Sequence, residues 1–248
     1  MKIRIKFRKL GAMKFIGHLD MMRYFQKAIR RSGIDICYSS GFNPHQIMSF
    51  AAPLGVGLTS DGEYLDIEVH TSKPSAESIA DLNAVMAEGI EITGYVQLPD
   101  DAKPAMARVS AADYEIWLKE SYEAPAAFWQ NEQELSRKLH VFFEEPGEVI
   151  VTKKTKKSEK QIDLKQLIYD FKVLPESERY LHRPALYLNV HTGSTDNLKP
   201  ELVLEAFFQS FGAVYEPFAY QIHRRDVYAS SPDGSRCTLL EEGTLITE

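Results

Sequence analysis

The first residues of the chain alternate apolar and basic side chains with a period of two. In "KIRIKFRK" the apolar set is Ile3, Ile5 and Phe7, and the basic set is Lys2, Arg4, Lys6 and Arg8. This period is typical of a β-strand with one face buried and the other in water. We therefore expect an N-terminal strand whose solvent-facing side is basic.

The periodicity becomes helical between His18 and Ser32. Apolar residues follow the spacing i, i+3, i+7 in this segment, at Met22, Phe25 and Ile29. Basic residues follow the spacing i, i+4, i+7, i+8, at Arg23, Lys27, Arg30 and Arg31. The segment therefore predicts an amphipathic helix with a basic outer face. Gly33 is suited to end it, because glycine adopts the left-handed conformation at a helix C-terminus without strain.

The remaining segments of the first hundred residues continue a recognisable order. "IDICYS", "GEYLDIEVH" and "IEITGYVQL" are rich in β-branched and aromatic residues and predict strands. "SAESIADLNAVMAEG" predicts a helix that ends at Gly89. The resulting order, β-α-β-β-α-β, is the ferredoxin-like pattern.

A second cycle follows a break in periodicity. "PDDAKPAMARVSAAD" contains two prolines and many small residues, which indicates a boundary near residues 99–112. Beyond it we expect a strand in "YEIWLKE", a helix in "NEQELSRKLHVFF", a hairpin with a basic tip, a strand in "PALYLNVHT", a helix in "KPELVLEAFFQSFG" and a last strand. We predict an α+β protein with two tandem ferredoxin-like domains, residues 1–100 and 113–248.

Composition narrows the possible classes of function. The 248 residues are 44% hydrophobic, enough for ordinary buried cores. No window of 18 uninterrupted apolar residues and no apolar signal-peptide core is present, so we expect a cytoplasmic protein without a membrane partner. Cys37 and Cys237 lack the paired spacing of a zinc or iron–sulfur site. We therefore predict no metal and no cofactor.

Charge is distributed unevenly along the chain. The whole sequence has a net charge of −6, but residues 1–50 contain ten basic and two acidic residues, a net charge of +8. Such asymmetry is typical of a polyanion-binding face on an otherwise acidic body. The alternative is a solvated helix surface, which is what most charged stripes are. The sequence therefore favours RNA as a partner.

A polar loop follows the basic helix. "YSSGFNPHQIMSFAAPLGVG", from Tyr38 to Gly57, is longer than most connections without a function. Its glycines expose backbone N–H groups, and its serine, asparagine and histidine side chains add donors for phosphate or sugar oxygens. Alternatively, the loop only turns the chain. Phe42 could stack on a base or lie in the core, and we favour the core.

The candidate nucleic-acid-binding residues are basic or can donate hydrogen bonds. In the first half they are Arg4, Arg8, Arg23, Lys27, Arg30, Arg31, Ser40, Gly41, Asn43 and His45. In the second half they are Lys153, Lys154, Lys156, Lys157, Arg224 and Arg225. Lysines at hairpin tips and on edge strands also serve solubility alone, and this alternative stays open.

Two histidines suggest a catalytic alternative. His18 and His45 would suit metal-independent phosphodiester cleavage, which needs one general base and one general acid near neutral pH. Their spacing does not establish that they meet. A lone histidine at a helix start is more often a capping or surface group.

The segment "KFIGHLDMMRYFQKAIRRSGIDICYSSGFNPHQIMSFAAPLGVGLTSDGEYLDIEV" resembles the bacterial radical-SAM-linked protein family. "GHLD", "YSSGFNPH", "SFAAPL" and "EYLDIEV" carry the resemblance, and "VTKKTKK", "LKPELVLEAFF" and "HRRDVY" extend it more loosely. Gln46 stands where family members typically have a second proline. The resemblance implies a protein of unknown function encoded beside, or fused to, a cobalamin-binding radical SAM protein. This chain lacks a three-cysteine motif, so the resemblance implies that it is the partner.

These observations lead to three functional hypotheses. We expect an RNA-binding accessory protein, without catalysis of its own, that presents a structured RNA to a radical SAM modification enzyme. One alternative is an endoribonuclease, since the fold pattern is similar to tandem ferredoxin-like proteins that process CRISPR repeats, an analogy that carries no catalytic residue. The other is a protein-interaction scaffold whose basic face docks an acidic partner.

Overall fold

The computed structural model of the chain describes residues 1–124, 126–154, 159–193, 197–231 and 234–247. Its strands are β1 (Lys2–Lys9), β2 (Met48–Phe50), β3 (Thr59–Glu68), β4 (Ile90–Leu98), β5 (Val109–Leu118), β6 (Ile150–Lys154), β7 (Glu159–Asp163), β8 (Ile168–Leu174), β9 (Ala185–His191), β10 (Tyr220–Ser230) and β11 (Arg236–Thr238). Its α-helices are α1 (His18–Ser32), α2 (Ser75–Asn83), α3 (Ala105–Arg108), α4 (Glu132–Leu139) and α5 (Pro200–Ser210). No helix in these ranges has the length and apolar composition to cross a membrane.

The chain divides into two compact units. The first contains Met1–Ala111, Gly193 and the described residues from Arg224 onward, and the second contains the described residues of 112–192 and 196–223. The predicted boundary region, 99–112, includes α3 and the start of β5. The division also differs from the predicted one at the C-terminus, because residues 224–247 belong with the N-terminal unit.

The sheet of the first unit is built around β1. β1 pairs antiparallel with β3 on one side and with β4 on the other. β3 pairs in turn with β2 and with β10, and β11 pairs with β10. In this register Ile3 lies opposite Ile67, Arg4 opposite Asp66 and Ile5 opposite Leu65.

The helix α1 covers the apolar face of this sheet. Its inner residues Met21, Phe25, Ala28 and Ile29 are buried. Phe25 packs against the β1 residue Phe7 with ring centroids 4.7 Å apart. The helix ends at Gly33, whose φ of 75° is in the left-handed region. The predicted helix and its predicted end are therefore confirmed.

The division between the units falls within β10, and the second unit contains its residues 220–223. The strand order there is β10-β5-β9-β8, with β8 and β9 antiparallel. β6 and β7 pair antiparallel as a separate two-stranded sheet, as predicted for the hairpin, whose tip at 155–158 lies outside the described residues. β8 was not predicted. The core of this unit is aromatic, with Phe128, Phe142, Phe171 and Phe207 all buried. Helices and antiparallel strands in both units agree with the predicted α+β class.

The basic face of β1 does not lie in water. The side chain of Arg4 is 0% exposed, and its Nε donates to Asp66 Oδ1 at 2.7 Å. Its Nη1 donates to the carbonyl of Leu239 at 3.0 Å and also pairs with Glu242. Burial opposes ionisation, but the hydrogen bonds and charges of Asp66 and Glu242 outweigh it and raise the pKa of Arg4. The predicted solvent-facing position of Arg4 is wrong.

Lys6 and Arg224 are neutralised within the first unit in the same way. The ammonium of Lys6 pairs with Asp226, which also accepts a hydrogen bond from the Tyr64 hydroxyl at 2.8 Å. Arg224 is buried and forms an ion pair with Glu63. These contacts join β1 and β3 to β10, because buried charges are tolerated only when they are paired. They explain why residues 224–247 belong to the first unit.

Replacing Arg4 should destabilise the fold far more than replacing its neighbour Arg8. Arg4→Met leaves Asp66 without its buried counter-charge and Glu242 with Arg108 alone, and we expect a loss of about 3–5 kcal/mol in the free energy of unfolding. The side chain of Arg8 is 43% exposed and pairs with Asp61 and Glu91. Arg8→Met should therefore cost at most about 1 kcal/mol. Urea unfolding of both variants measures the difference, and equal losses would contradict the account.

Candidate nucleic-acid interface

The outer face of α1 is an exposed basic surface. Arg23, Lys27, Arg30 and Arg31 are all exposed, so the predicted position of these four residues is confirmed. Arg23 Nη1 donates to Asp20 at 3.3 Å, and Arg31 Nη2 donates to the carbonyl of Val85 at 3.0 Å. Lys27 and Arg30 have no ion-pair partner among the described residues. We call Arg23, Lys27, Arg30 and Arg31 the basic face.

The loop after α1 is closed by its own side chains. The amide of Ser39 donates to the carbonyl of His45 at 2.8 Å, and the amide of His45 donates to Ser39 Oγ at 3.1 Å. His45 Nδ1 also lies 2.9 Å from Ser39 Oγ. His45 therefore helps to hold the conformation of the loop. This role is separate from the contact with phosphate that the sequence predicts.

The tip of this loop projects into solvent. Ser40, Gly41, Phe42 and Asn43 are exposed, and Gly41 has a φ of 114° that favours glycine. Phe42 is fully exposed. The prediction that favoured a core position for Phe42 is therefore wrong. The candidates Ser40, Gly41 and Asn43 remain accessible at the tip.

Gln46 attaches the loop to the basic helix. Its side chain is buried, and its Nε2 donates to the carbonyl of Gln26 at 3.2 Å. Gln26 lies beside Lys27 in the sequence and one turn from Arg23 and Arg30. Because Tyr38 bridges to Gln46, the base of the loop is held at the backbone of α1, one turn from two residues of the basic face.

The other basic candidates differ in their surroundings. Arg8 is half-buried and paired with carboxylates, and Arg225 is exposed. Arg4 and Arg224 are buried, so the prediction that they bind nucleic acid is wrong. The backbones of Lys153 and Lys154 lie in β6 and their side chains are outside the description, as are Lys156 and Lys157 entirely.

The two candidate catalytic histidines contact different groups. The ring of His18 packs edge-on against Phe50 with centroids 5.3 Å apart, whereas His45 contacts Ser39. The structure shows no hydrogen bond or ring contact between the two imidazoles. Catalysis by this pair stays a prediction. No group of three or more His, Cys, Asp or Glu side chains suited to a metal ion occurs within the described ranges.

Sequence reasoning did not single out the apolar residues at the start of α1. Phe15, Leu19 and Val56 are between 61% and 66% exposed. Leu19 lies one turn before Arg23 on the outer side of the helix. The helical spacing of the basic residues, continued four residues before Arg23, would have identified Leu19. The surface beside the basic face is therefore partly apolar.

Most of the chain matches the model of one protein family. A family model, whose description reads "uncharacterized protein conserved in bacteria", matches residues 2–200. Comparison with curated proteins finds no match.

The two neighbouring serines of the loop should respond differently to substitution. Ser39→Ala removes the acceptor of the His45 amide and the contact with Nδ1, so we expect the amide at position 39 to exchange with solvent about tenfold faster. Ser40→Ala is the control, since the Ser40 side chain is exposed and no bond of it is described. Amide hydrogen exchange by NMR measures both. Unchanged exchange in Ser39→Ala would contradict the described closure of the loop.

Proposed function

The chain belongs to the DUF2344 family of proteins conserved in bacteria, and for this member we propose an RNA-binding function centred on the basic face and the loop tip. The observation that carries the proposal is the full exposure of Phe42. An exposed phenyl ring gains nothing from folding, whereas a nucleobase can stack on it. Stacking on exposed aromatics beside cationic side chains is the common way to hold unpaired nucleotides.

The basic face supplies the electrostatic part of binding. Lys27 and Arg30 are exposed without an ion-pair partner among the described residues, so they can neutralise phosphates without first breaking an ion pair. The arginines also offer planar guanidinium groups for bidentate phosphate contacts. The serine and asparagine of the loop tip add donors for sugar or phosphate oxygens.

The geometry favours an unpaired segment of a structured RNA as the ligand. Bases in an A-form duplex are stacked on one another, and its deep major groove is too narrow for side chains to read. A ring at a loop tip reaches a base only where the base is free to leave its neighbours. We therefore propose that Phe42 receives a base from a loop, bulge or end, while the flanking phosphates lie along α1.

A radical SAM enzyme is the proposed partner. The resemblance of "YSSGFNPH" and "EYLDIEV" to the radical-SAM-linked proteins supports this part of the proposal. With two cysteines, the chain cannot supply the three thiolates of the enzyme's cluster motif. In this proposal it holds the RNA and the partner carries out the modification.

Two tandem ferredoxin-like units are the proposed scaffold. The first unit has the order β4-β1-β3-β2 and the second has the order β10-β5-β9-β8. Along the chain, α1 follows β1 and α2 precedes β4 in the first unit. In the second unit α4 follows β5 and α5 precedes β10. This order supports the assignment, with β6 and β7 as an insertion in the second unit.

A protein-interaction scaffold is the second candidate function. Exposed Phe15, Leu19 and Val56 favour a protein contact near the start of α1, because exposed apolar groups cluster at interaction sites. RNA retained on the purified protein would favour the first function. Binding of an acidic partner without RNA would favour the second.

Removing two cations from the basic face should weaken RNA binding and its salt dependence. For Lys27→Gln with Arg30→Gln we expect about tenfold weaker binding of a stem-loop RNA at moderate salt, and a salt slope smaller by about two units. The control is Arg137→Gln with Lys138→Gln, which removes the same charge from α4. Fluorescence anisotropy from 50 to 300 mM salt measures both. Equal effects would contradict a localised interface.

Removing the exposed ring should weaken binding without altering stability. Phe42→Ala should weaken binding of a single-stranded RNA by about tenfold or more, since stacking contributes about 1–3 kcal/mol per base. Phe42→Tyr keeps a ring of similar size and should retain the affinity. Both variants should melt within about 1 °C of the wild type, because Phe42 is fully exposed. If Phe42→Ala binds as tightly as the wild type, Phe42 does not stack on RNA.

A further inference from the structure

A pocket of about 470 Å³ lies in the second unit. Its apolar wall includes Leu118, Tyr122 and Pro184. Trp129 and Arg183 contribute hydrogen-bond donors, and Glu123 and Glu176 contribute carboxylates. All of these residues belong to this unit, so the pocket is independent of the basic face and of the proposed RNA-binding function.

The indole of Trp129 is a buried donor without an acceptor. Trp129 is 1% exposed, and its Nε1 has no hydrogen-bond partner among the described residues. Its ring is held by Phe208, stacked with centroids 5.7 Å apart, and by Tyr220 at 4.7 Å. An indole N–H can only donate, and a buried donor without a partner is disfavoured. An acceptor supplied by a ligand in the pocket would satisfy it.

Arg183 is positioned for an oxyanion in the same pocket. Its Nη1 donates to the carbonyls of Lys119 at 3.1 Å and Tyr122 at 2.9 Å, which fixes the plane of the guanidinium. The structure shows no bond from its Nε or Nη2 to a described residue. The two residues before it, Leu181 and His182, have φ values of 58° and 53°, which are uncommon for residues other than glycine. Such strain is often retained where it positions a binding group.

The carboxylates of the pocket limit the kind of anion it can accept. Glu123 and Glu176 are exposed, and neither has an ion-pair partner among the described residues. No lysine lines the pocket, so a doubly charged phosphate would meet more negative than positive charge. A carboxylate that is accompanied by a protonated amine matches both sets of groups.

We propose that this pocket binds a zwitterionic small molecule of the α-amino acid class. The ligand's carboxylate accepts hydrogen bonds from Trp129 Nε1 and from Arg183. Its ammonium group faces Glu123 and Glu176. An apolar side chain contacts Leu118 and Pro184. Binding is non-covalent, so no bond forms or breaks and no other reactant takes part.

The two tryptophans of the chain allow a test with an internal control. Trp117 does not line the pocket, and its ring packs against Tyr180 and His223. The full-length protein, labelled with ¹⁵N, gives one indole signal for each tryptophan, assigned with Trp117→Phe. We expect at least one of the twenty L-amino acids to shift the Trp129 indole proton downfield, as acceptance of its hydrogen bond requires. The Trp117 signal should stay in place, and acetate and inorganic phosphate at equal concentration should move neither.

Variants separate binding from folding. Trp129→Phe removes the N–H but also part of a buried indole, so we expect a lower melting temperature from the lost packing. In the folded fraction, amino acid affinity by calorimetry should fall about tenfold. Glu176→Gln should weaken binding by a similar factor. Glu178→Gln is the control, because Glu178 is exposed in the same segment but does not line the pocket. The amino acid affinity of this variant should stay within twofold of the wild-type value.

Three results would overturn the proposal. The first is the absence of any shift of the Trp129 signal with all twenty amino acids. The second is a shift with phosphate or acetate alone, which would assign the pocket to a simple anion. The third is unchanged amino acid affinity in Glu176→Gln, which would remove the role of the ammonium group. This variant keeps the test decisive even if Trp129→Phe does not fold.

Discussion

A guanidinium group stays charged at every physiological pH, so an arginine that folding removes from water needs carboxylates around it. Arg4 and Arg224 are the two such residues on which the first unit depends. Their carboxylate partners come from β3 and from the segment after β10. The C-terminal residues therefore pack with the N-terminal strands, and the sheet register that places Arg4 opposite Asp66 is the one that satisfies this charge.

The same constraint decides which cations are left for a partner. The net charge of +8 over residues 1–50 suggested a single continuous basic surface. Pairing of Arg4, Lys6 and Arg8 with carboxylates removes the strand from that surface. The basic face of α1 and the tip of the adjoining loop remain. The proposed RNA site is therefore smaller than a basic sheet and helix together, and its combination of cations with an exposed aromatic ring is the chemistry that suits unpaired nucleotides.

What could be predicted from the sequence depended on how local the determining interaction was. The bounds of α1 and its end at Gly33 follow from a helical period and a glycine, both of which act within one turn. The buried position of Arg4 could not be predicted in this way. A period of two separates the polar face of a strand from its apolar face, but it does not show whether the polar face contacts water or other charged residues. The acidic residues that alternate in "GEYLDIEV" are the counter-charges of this polar face, but their position opposite β1 follows only from the strand register. Phe42 was misassigned for a similar reason: an aromatic residue between glycine and asparagine has no period from which burial could be inferred. β8 was missed because its apolar residues follow directly on the hairpin segment.

Ultraviolet crosslinking of the protein to cellular RNA, followed by mass spectrometry of the tryptic peptides, tests the RNA-binding account most directly. Because trypsin does not cut the Lys73–Pro74 and Lys103–Pro104 bonds, cleavage after Arg31 and Arg108 gives a single peptide that contains the whole loop, including Phe42. The account predicts that this peptide carries nucleotide adducts, and that their yield falls as the salt concentration during irradiation rises. Adducts confined to other peptides, or none on a protein that remains folded, would contradict it.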